Sequence, residues 1–452
     1  MAADLDIALS FLDFFFLLFK LSPPNSHQIL AEFGLTAQHF GFSTFATLSA
    51  GATNAPQLSD PKLPQLAELL DPDAAAAILA RTLRPGSELG EVRPRNVRYK
   101  PGRRVIVAYD AVVDGETREV VVLADVKADL GAVASRKPNV AAARRVNGRS
   151  PVDTPLRFDP LAETLVQWLP YDLELPLLTE PPAELLERLA RLGLDVDPRA
   201  VLRTLGYKPL GRVVLQAGSH VLKGYASESK YGDAARALQI AAATPVPTPH
   251  YEARIEELRA TVQTALPGTI ATDDVALAGV AGSLLRDVHA AHVDGLPDAP
   301  SARCLHAAAD AGRLVSAVVP ALEPRVRALL ERLEGGLPEN AAHVCSHGDF
   351  EVGQLLQHDG DVTLLDFDEL CSAPAALDVA TYAAHAARSG GAPAALAAAD
   401  ALVETYGARP DGLQPYLAAA ILLRAQCPFR KLEEEWPRRV EDLVGAAEEV
   451  LA

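Results

Sequence analysis

The stretch His347-Gly348-Asp349-Phe350-Glu351-Val352-Gly353-Gln354 sets a carboxylate in a tight His-Gly-Asp turn and an amide five residues later. After a short gap, Leu364-Leu365-Asp366-Phe367-Asp368 places two more carboxylates at the end of an apolar run. This set suits phosphoryl transfer, which asks a protein for positioning and charge neutralisation more than for covalent help. Asp349 is placed to accept or orient the proton of an attacking hydroxyl. Gln354 and Asp366 offer the hard oxygen atoms that Mg2+ takes as ligands. Asp368 is open to two readings, a second metal contact or a hydrogen bond within its own loop. His347 is read as packing and hydrogen bonding in the turn rather than moving a proton. One such residue alone would ordinarily be a turn or helix cap. Three at these spacings, with a strand before Asp366, call for a functional reading.

The elements that must hold these residues follow from periodicity. Short apolar strands at 354–357 and 362–365, joined by Asp359-Gly360, interrupt a helical region that runs from 272 onward. Leu277, Val280, Leu284, Leu285 and Val288 give one helical stripe, and residues 375–450 give further Ala/Leu-rich helices. Upstream, residues 61–90 read as short helices and residues 92–127 as strands. Val105-Ile106-Val107-Ala108-Tyr109 and Val120-Val121-Val122-Leu123 flank Asp114-Gly115, a hairpin signal.

Part of this β-rich region is echoed about a hundred residues later. Tyr99-Lys100-Pro101-Gly102-Arg103-Arg104 resembles Tyr207-Lys208-Pro209-Leu210-Gly211-Arg212. Val122-Leu123-Ala124-Asp125-Val126-Lys127 parallels His220-Val221-Leu222-Lys223-Gly224-Tyr225, and Val166-Gln167-Trp168-Leu169-Pro170 parallels Val262-Gln263-Thr264-Ala265-Leu266-Pro267. Three echoes in one order predict two tandem β modules, at about 85–180 and 197–268.

The catalytic segment resembles the signature of the aminoglycoside phosphotransferase and choline kinase-like family, which has a protein-kinase-like fold. Asp378, in Ala375-Ala376-Leu377-Asp378-Val379-Ala380 after Pro374, matches that family's following element. The resemblance implies an α+β bilobal fold with a β-rich N-lobe and a helical C-lobe, here with an extra N-terminal β-containing cap module. It implies ATP and Mg2+ as cofactors, Lys223 on the nucleotide phosphates, and Gln263, Thr264 and Ala265 as the hinge beside adenine. Asp378 resembles the residue that braces the catalytic loop. Gln354 stands where the family usually has Asn; this Gly-Gln form resembles the maltokinase and glucosamine kinase branch. The family would also offer a helical Glu to Lys223, and the helix at 232–238 has none; Glu228 is the nearest. The expected parts are 1–60 as an accessory extension, 61–196 as a cap or degenerate N-lobe, 197–270 as the nucleotide-binding N-lobe and 271–452 as the catalytic C-lobe. Leu364-Leu365-Asp366-Phe367-Asp368 also resembles the first motif of haloacid-dehalogenase-like phosphatases, but Leu370 stands where they want Thr or Val.

Composition narrows the classes. Cys304, Cys345, Cys371 and Cys427 show no CxxC and no close pairing, which argues against a disulfide framework or a zinc site and for the cytoplasm. A net charge of −17 argues against nucleic-acid or anionic-membrane partners. Nine of the thirteen Phe fall within residues 11–45, but the apolar run there is too short to span a bilayer, so no stable membrane insertion is expected. The expected activity is phosphorylation of a hydroxyl on a small molecule, first a sugar or amino sugar. The alternatives are an aminoglycoside-type antibiotic as acceptor, or a pseudokinase-like binding module. An acidic run, Glu433-Glu434-Glu435, is read as a solvated helix face or as a site for an acceptor's amino group.

Overall fold

The computed structural model describes residues 58–452 apart from 147, 243, 273 and 339. The Phe-rich extension, with the expectation attached to it, lies almost wholly outside the described residues. At the start of the described chain, Asp60 is buried and accepts from the Tyr99 hydroxyl at 2.7 Å and from the Gly102 and Lys62 N–H groups.

Two five-stranded antiparallel sheets follow one another. The first is built from β1 (Leu89–Lys100), β2 (Arg104–Val113), β3 (Glu116–Asp125), β4 (Leu156–Asp159) and β5 (Thr164–Trp168), in the order β1-β2-β3-β5-β4. The second comprises β6 (Leu202–Lys208), β7 (Arg212–Ala217), β8 (His220–Tyr225), β9 (Tyr251–Ile255) and β10 (Ala260–Thr264), in the order β6-β7-β8-β10-β9. The order is the same, and in each sheet helical chain intervenes between the third and fourth strands: Leu130–Ser135 and Lys137–Arg145 in the first, Glu228–Ala241 in the second. The hairpin at Asp114-Gly115 forms as the sequence predicts, with both residues at positive φ, the backbone a two-residue antiparallel turn requires.

The repeat holds, but one of the three echoes is out of register. Arg104 pairs with Asp125 across β2 and β3, and Arg212 pairs with Tyr225 across β7 and β8. Asp125 is therefore the counterpart of Tyr225, and Leu123 that of Lys223. Lys127 falls two residues beyond and is exposed in the turn after β3. Apolar strand residues are interchangeable, so a run of Val and Leu aligns with itself at several offsets; the turn residues of the first echo do not slip.

A helical lobe follows. Helix Asp274–His289 buries Ala278, Ala281, Leu285 and Val288, whereas Val280, expected in its apolar stripe, is exposed. Short strands accompany the helices: β13 (Leu355–His358) and β14 (Asp361–Leu364) fall where the sequence predicts strands, and β11 (Thr269–Ile270), β12 (His343–Ser346) and β15 (Cys371–Pro374) are additional. β13 pairs with β11 on one side and β14 on the other, and β12 pairs with β15. Helices Ala376–Ala383, Ala387–Tyr406, Leu413–Arg424 and Trp436–Val450 complete the lobe. The molecule is thus an α+β, bilobal kinase-like fold preceded by an extra β module. No helix among the described residues is long and apolar enough to cross a membrane.

Candidate active site

The His-Gly-Asp turn follows β12 and is fixed from below by one carboxylate. Asp378, buried near the start of helix Ala376–Ala383, accepts from the Ser346 hydroxyl (2.7 Å), the His347 N–H (2.7 Å) and the Gly348 N–H (2.8 Å). Its Oδ2 also lies 3.0 Å from Nε2 of His289. Burial alone would raise its pKa, but this set of donors and His289 hold it below the usual carboxylate range. Gly348 has φ +84°, and a Cβ there would lie 2.1 Å from the Glu369 carbonyl, so only glycine fits. His347 is fully buried; its Nε2 donates to the Leu365 carbonyl at 3.0 Å, and burial depresses its pKa, so the ring is neutral. It packs edge-on against Phe350 and Phe367, tying the turn to the strand end that carries Asp366.

Asp349 projects from this braced turn. No hydrogen bond to its carboxylate occurs among the described residues. Burial, with Glu351 nearby, pushes its pKa up to about 6, although Arg424 opposes the shift. Arg424 is itself held by an ion pair with Glu351.

Asp366 and Asp368 form the second half of the site. Asp366 adopts the left-handed region at φ +64°. Lys223 on β8 reaches Asp366 at 2.8 Å and Asp368 at 3.2 Å. Arg212, at the start of β7, bridges the same two carboxylates at 3.0 and 2.8 Å, and the Tyr225 hydroxyl donates to Asp368. Burial would raise the Asp366 pKa, but Lys223 and Arg212 together hold it well below the ordinary value. The same cluster keeps Lys223 protonated: burial works against its charge, and Asp368 and Asp366 more than offset that. The helix after β8 begins at Glu228, four residues earlier than the 232–238 segment read from sequence, and Glu228 is exposed. In place of a helical Glu, the partners of Lys223 are the two aspartates.

Gln354 ends the short turn before β13, and its carbonyl accepts from the Leu365 N–H at 2.8 Å, which sets it beside the Asp366 strand end. Among the described residues no cluster of three His, Cys, Asp or Glu side chains could hold a metal. Two carboxylates and an amide oxygen are nonetheless a fitting set for Mg2+, which takes one or two carboxylates and keeps several waters.

Gln263 and Thr264 end β10 and Ala265 follows it, where the chain passes toward the helical lobe. The Thr264 N–H donates to the His250 carbonyl and the Ala265 N–H to the Ser219 carbonyl. Both donors are therefore used within the sheet, and a backbone contact from either residue to a base would fall to a carbonyl. Gln263 is buried on the face that carries Lys223, with its Oε1 unpartnered. Two residues that sequence reasoning passed over complete the picture, Arg212 and Tyr225. A signal for Arg212 existed, since the first echo repeats it as Arg104; in the structure Arg104 likewise pairs with an aspartate, Asp125. Glu433, from the acidic run, is bridged by Arg388 and Arg439.

No curated protein matches the chain. Among solved structures, it is similar to macrolide 2'-phosphotransferase from Brachybacterium faecium, at 23% identity over 57% of this chain and 97% of that one, with a TM-score of 0.40. A spectinomycin phosphotransferase, solved with ADP and spectinomycin, is similar at 14% identity over 59% of this chain and 97% of that one, with a TM-score of 0.43. A choline/ethanolamine kinase family protein from Mesorhizobium loti gives 14% identity, 58% and 93% coverage and a TM-score of 0.41. The profile of the phosphotransferase enzyme family matches residues 188–416, half of the chain, from the helix before β6 to helix Leu413–Arg424. The chain belongs to the phosphotransferase enzyme family.

Proposed function

We propose that this phosphotransferase moves the terminal phosphoryl group of ATP to a hydroxyl of a small molecule. Asp349 accepts the hydroxyl's proton, and a pKa near 6 leaves its carboxylate ionised at neutral pH while still basic enough for the task. Lys223 binds nucleotide phosphate oxygens, and Gln263, Thr264 and Ala265 line the adenine end. Gln354, Asp366 and Asp368 would hold Mg2+, which when bound would neutralise charge on the transferring phosphoryl group. Asp378 and His347 keep the Asp349 turn in place. In this reading residues 197–270 carry the nucleotide, residues 271–452 carry the catalytic side chains, and residues 61–196 are a degenerate lobe that caps them. The observation that carries the reading is the reach of Lys223, from the second sheet, to Asp366 at 2.8 Å in the helical lobe.

For the acceptor, a sugar or amino sugar remains the first choice, on the Gly-Gln variant of the signature. An aminoglycoside fits the family match equally well. The pairing of Glu433 with two arginines removes one candidate subsite for an acceptor's amino group. A coupled ADP-release screen over sugars, amino sugars and aminoglycosides tests the proposal. Acceptor-dependent ADP release with at least one of these is expected. No release with any of them, together with no nucleotide-induced shift in melting temperature, would favour the pseudokinase-like module.

A further inference from the structure

The two sheets leave a gap between them, and positive charge gathers there. A cavity of about 640 Å³ lies between β1 of the first sheet and β6 of the second, bounded also by Arg430 of the short helix Cys427–Arg430. Arg98 of β1, Lys208 at the end of β6 and Arg430 line it. Lys223, Arg212, Asp349 and Asp366 do not. Arg98 donates to the Pro209 carbonyl, and Nε of Arg430 is buried without a hydrogen-bond partner. Among the described residues no carboxylate pairs with any of the three cations.

Two acids stand close, and each is already engaged. Glu119, on the cavity wall, is bridged to Arg95. Asp172, which attracts Arg98, accepts from the Leu210 and Glu174 N–H groups and the Tyr207 hydroxyl. Burial lowers the proton affinity of all three cations. Arg430 and Arg104 lower that of Arg98 further, and Arg98, Lys230 and Arg430 do the same to Lys208. Like charges gathered in a partly buried space repel, and folding stability alone gives no reason to collect them. A chain with net charge −17 has acids available to pair with them, yet among the described residues none forms an ion pair with any of the three. Two guanidinium groups and an ammonium are a donor set for phosphate oxygens, the guanidinium in bidentate fashion.

We propose that this cavity is a second ligand site, which binds the phosphate group of a phosphorylated small molecule through Arg98, Lys208 and Arg430. Lys208 pairs with Arg212 across the β6–β7 turn. A ligand here therefore joins the first sheet, the turn next to the aspartate cluster and the helical lobe. Such a phosphate group has two possible sources, the acceptor itself or a separate effector.

The test uses the full-length protein saturated with ADP, with inorganic phosphate as the probe and thermal melting as the readout. Phosphate is expected to raise the melting temperature of the wild type saturably. Arg430→Met and Lys208→Met should each weaken that response about tenfold or more, the loss of one charge-assisted contact, and Arg430→Met should do so with ADP affinity retained. In phosphate-free buffer Arg430→Met should melt at or above the wild type, because a repelling charge has gone. No phosphate response, an equal response in the variants, or displacement of phosphate by ADP would overturn the proposal. So would a lower melting temperature of Arg430→Met without phosphate. With an active acceptor, phosphate that raises the acceptor KM alone assigns the site to the acceptor, and phosphate that changes kcat at saturating acceptor assigns it to an effector. The binding measurement needs no turnover, so it stands or falls apart from the kinase reading.

Discussion

Asp349 combines an unpaired carboxylate with an environment that resists its charge. The raised pKa gives a prediction with a definite sign. If Asp349 is the proton acceptor, as proposed, its ionised form is the active one and kcat/KM should fall as pH drops through about 6. Stability moves the other way. A carboxyl whose folded pKa exceeds its unfolded value favours the fold below the unfolded value, and that contribution is lost as pH rises through the folded value. Asp349→Asn should therefore raise the melting temperature at pH 8, by the equivalent of about 1–3 kcal/mol, and change little at pH 4. Thermal melts at the two pH values check this; a variant destabilised at pH 8 would contradict it. Most of this residue-scale picture was legible in sequence, because the His-Gly-Asp turn, Gln354, Asp366 and Asp378 lie within 32 positions of each other. The partner of Lys223 was not. Asp366 is 143 residues away, and only the docking of one lobe on the other brings the two together.

The β6–β7 turn is held by the module in front of it. Asp172 accepts from the Leu210 N–H and the Tyr207 hydroxyl, and Arg98 donates to the Pro209 carbonyl. Leu210, not Gly211, takes the left-handed conformation in this turn, at φ +52°. A turn with one glycine is thus held by neighbouring side chains where a glycine-rich loop would be free. Removing the Asp172 carboxylate takes the acceptor from the Leu210 and Glu174 N–H groups and the Tyr207 hydroxyl, at a cost of about 3 kcal/mol or more. Asp172→Ala should speed amide exchange across 207–212 and raise the KM for nucleotide more than it lowers kcat. Exchange unchanged in that segment would contradict the clamp. The turn itself was readable from its Tyr-Lys-Pro echo, since turn residues keep their identity for backbone reasons. The clamp was not, because Asp172 lies in irregular chain after β5 and carries no pattern.

At the scale of the molecule, one sheet order occurs twice with different equipment. The second sheet has Lys223 facing the aspartates, and the first has Leu123 at the matching position. Only one lobe should therefore bind nucleotide. Equilibrium titration with ADP should give one site per chain, and two sites would contradict the assignment of the first module as a degenerate copy. The two halves of the site divide the labour in this reading, Asp349 for transfer and Asp366 for Mg·nucleotide. The direct measurement is nucleotide affinity and single-turnover phosphoryl transfer for the wild type, Asp349→Ala and Asp366→Ala, with an acceptor found in the screen. Asp349→Ala should keep nucleotide affinity and lose about 10²–10⁴-fold in transfer, while Asp366→Ala should weaken Mg·ATP binding itself. Transfer by Asp349→Ala at a near wild-type rate would contradict the account.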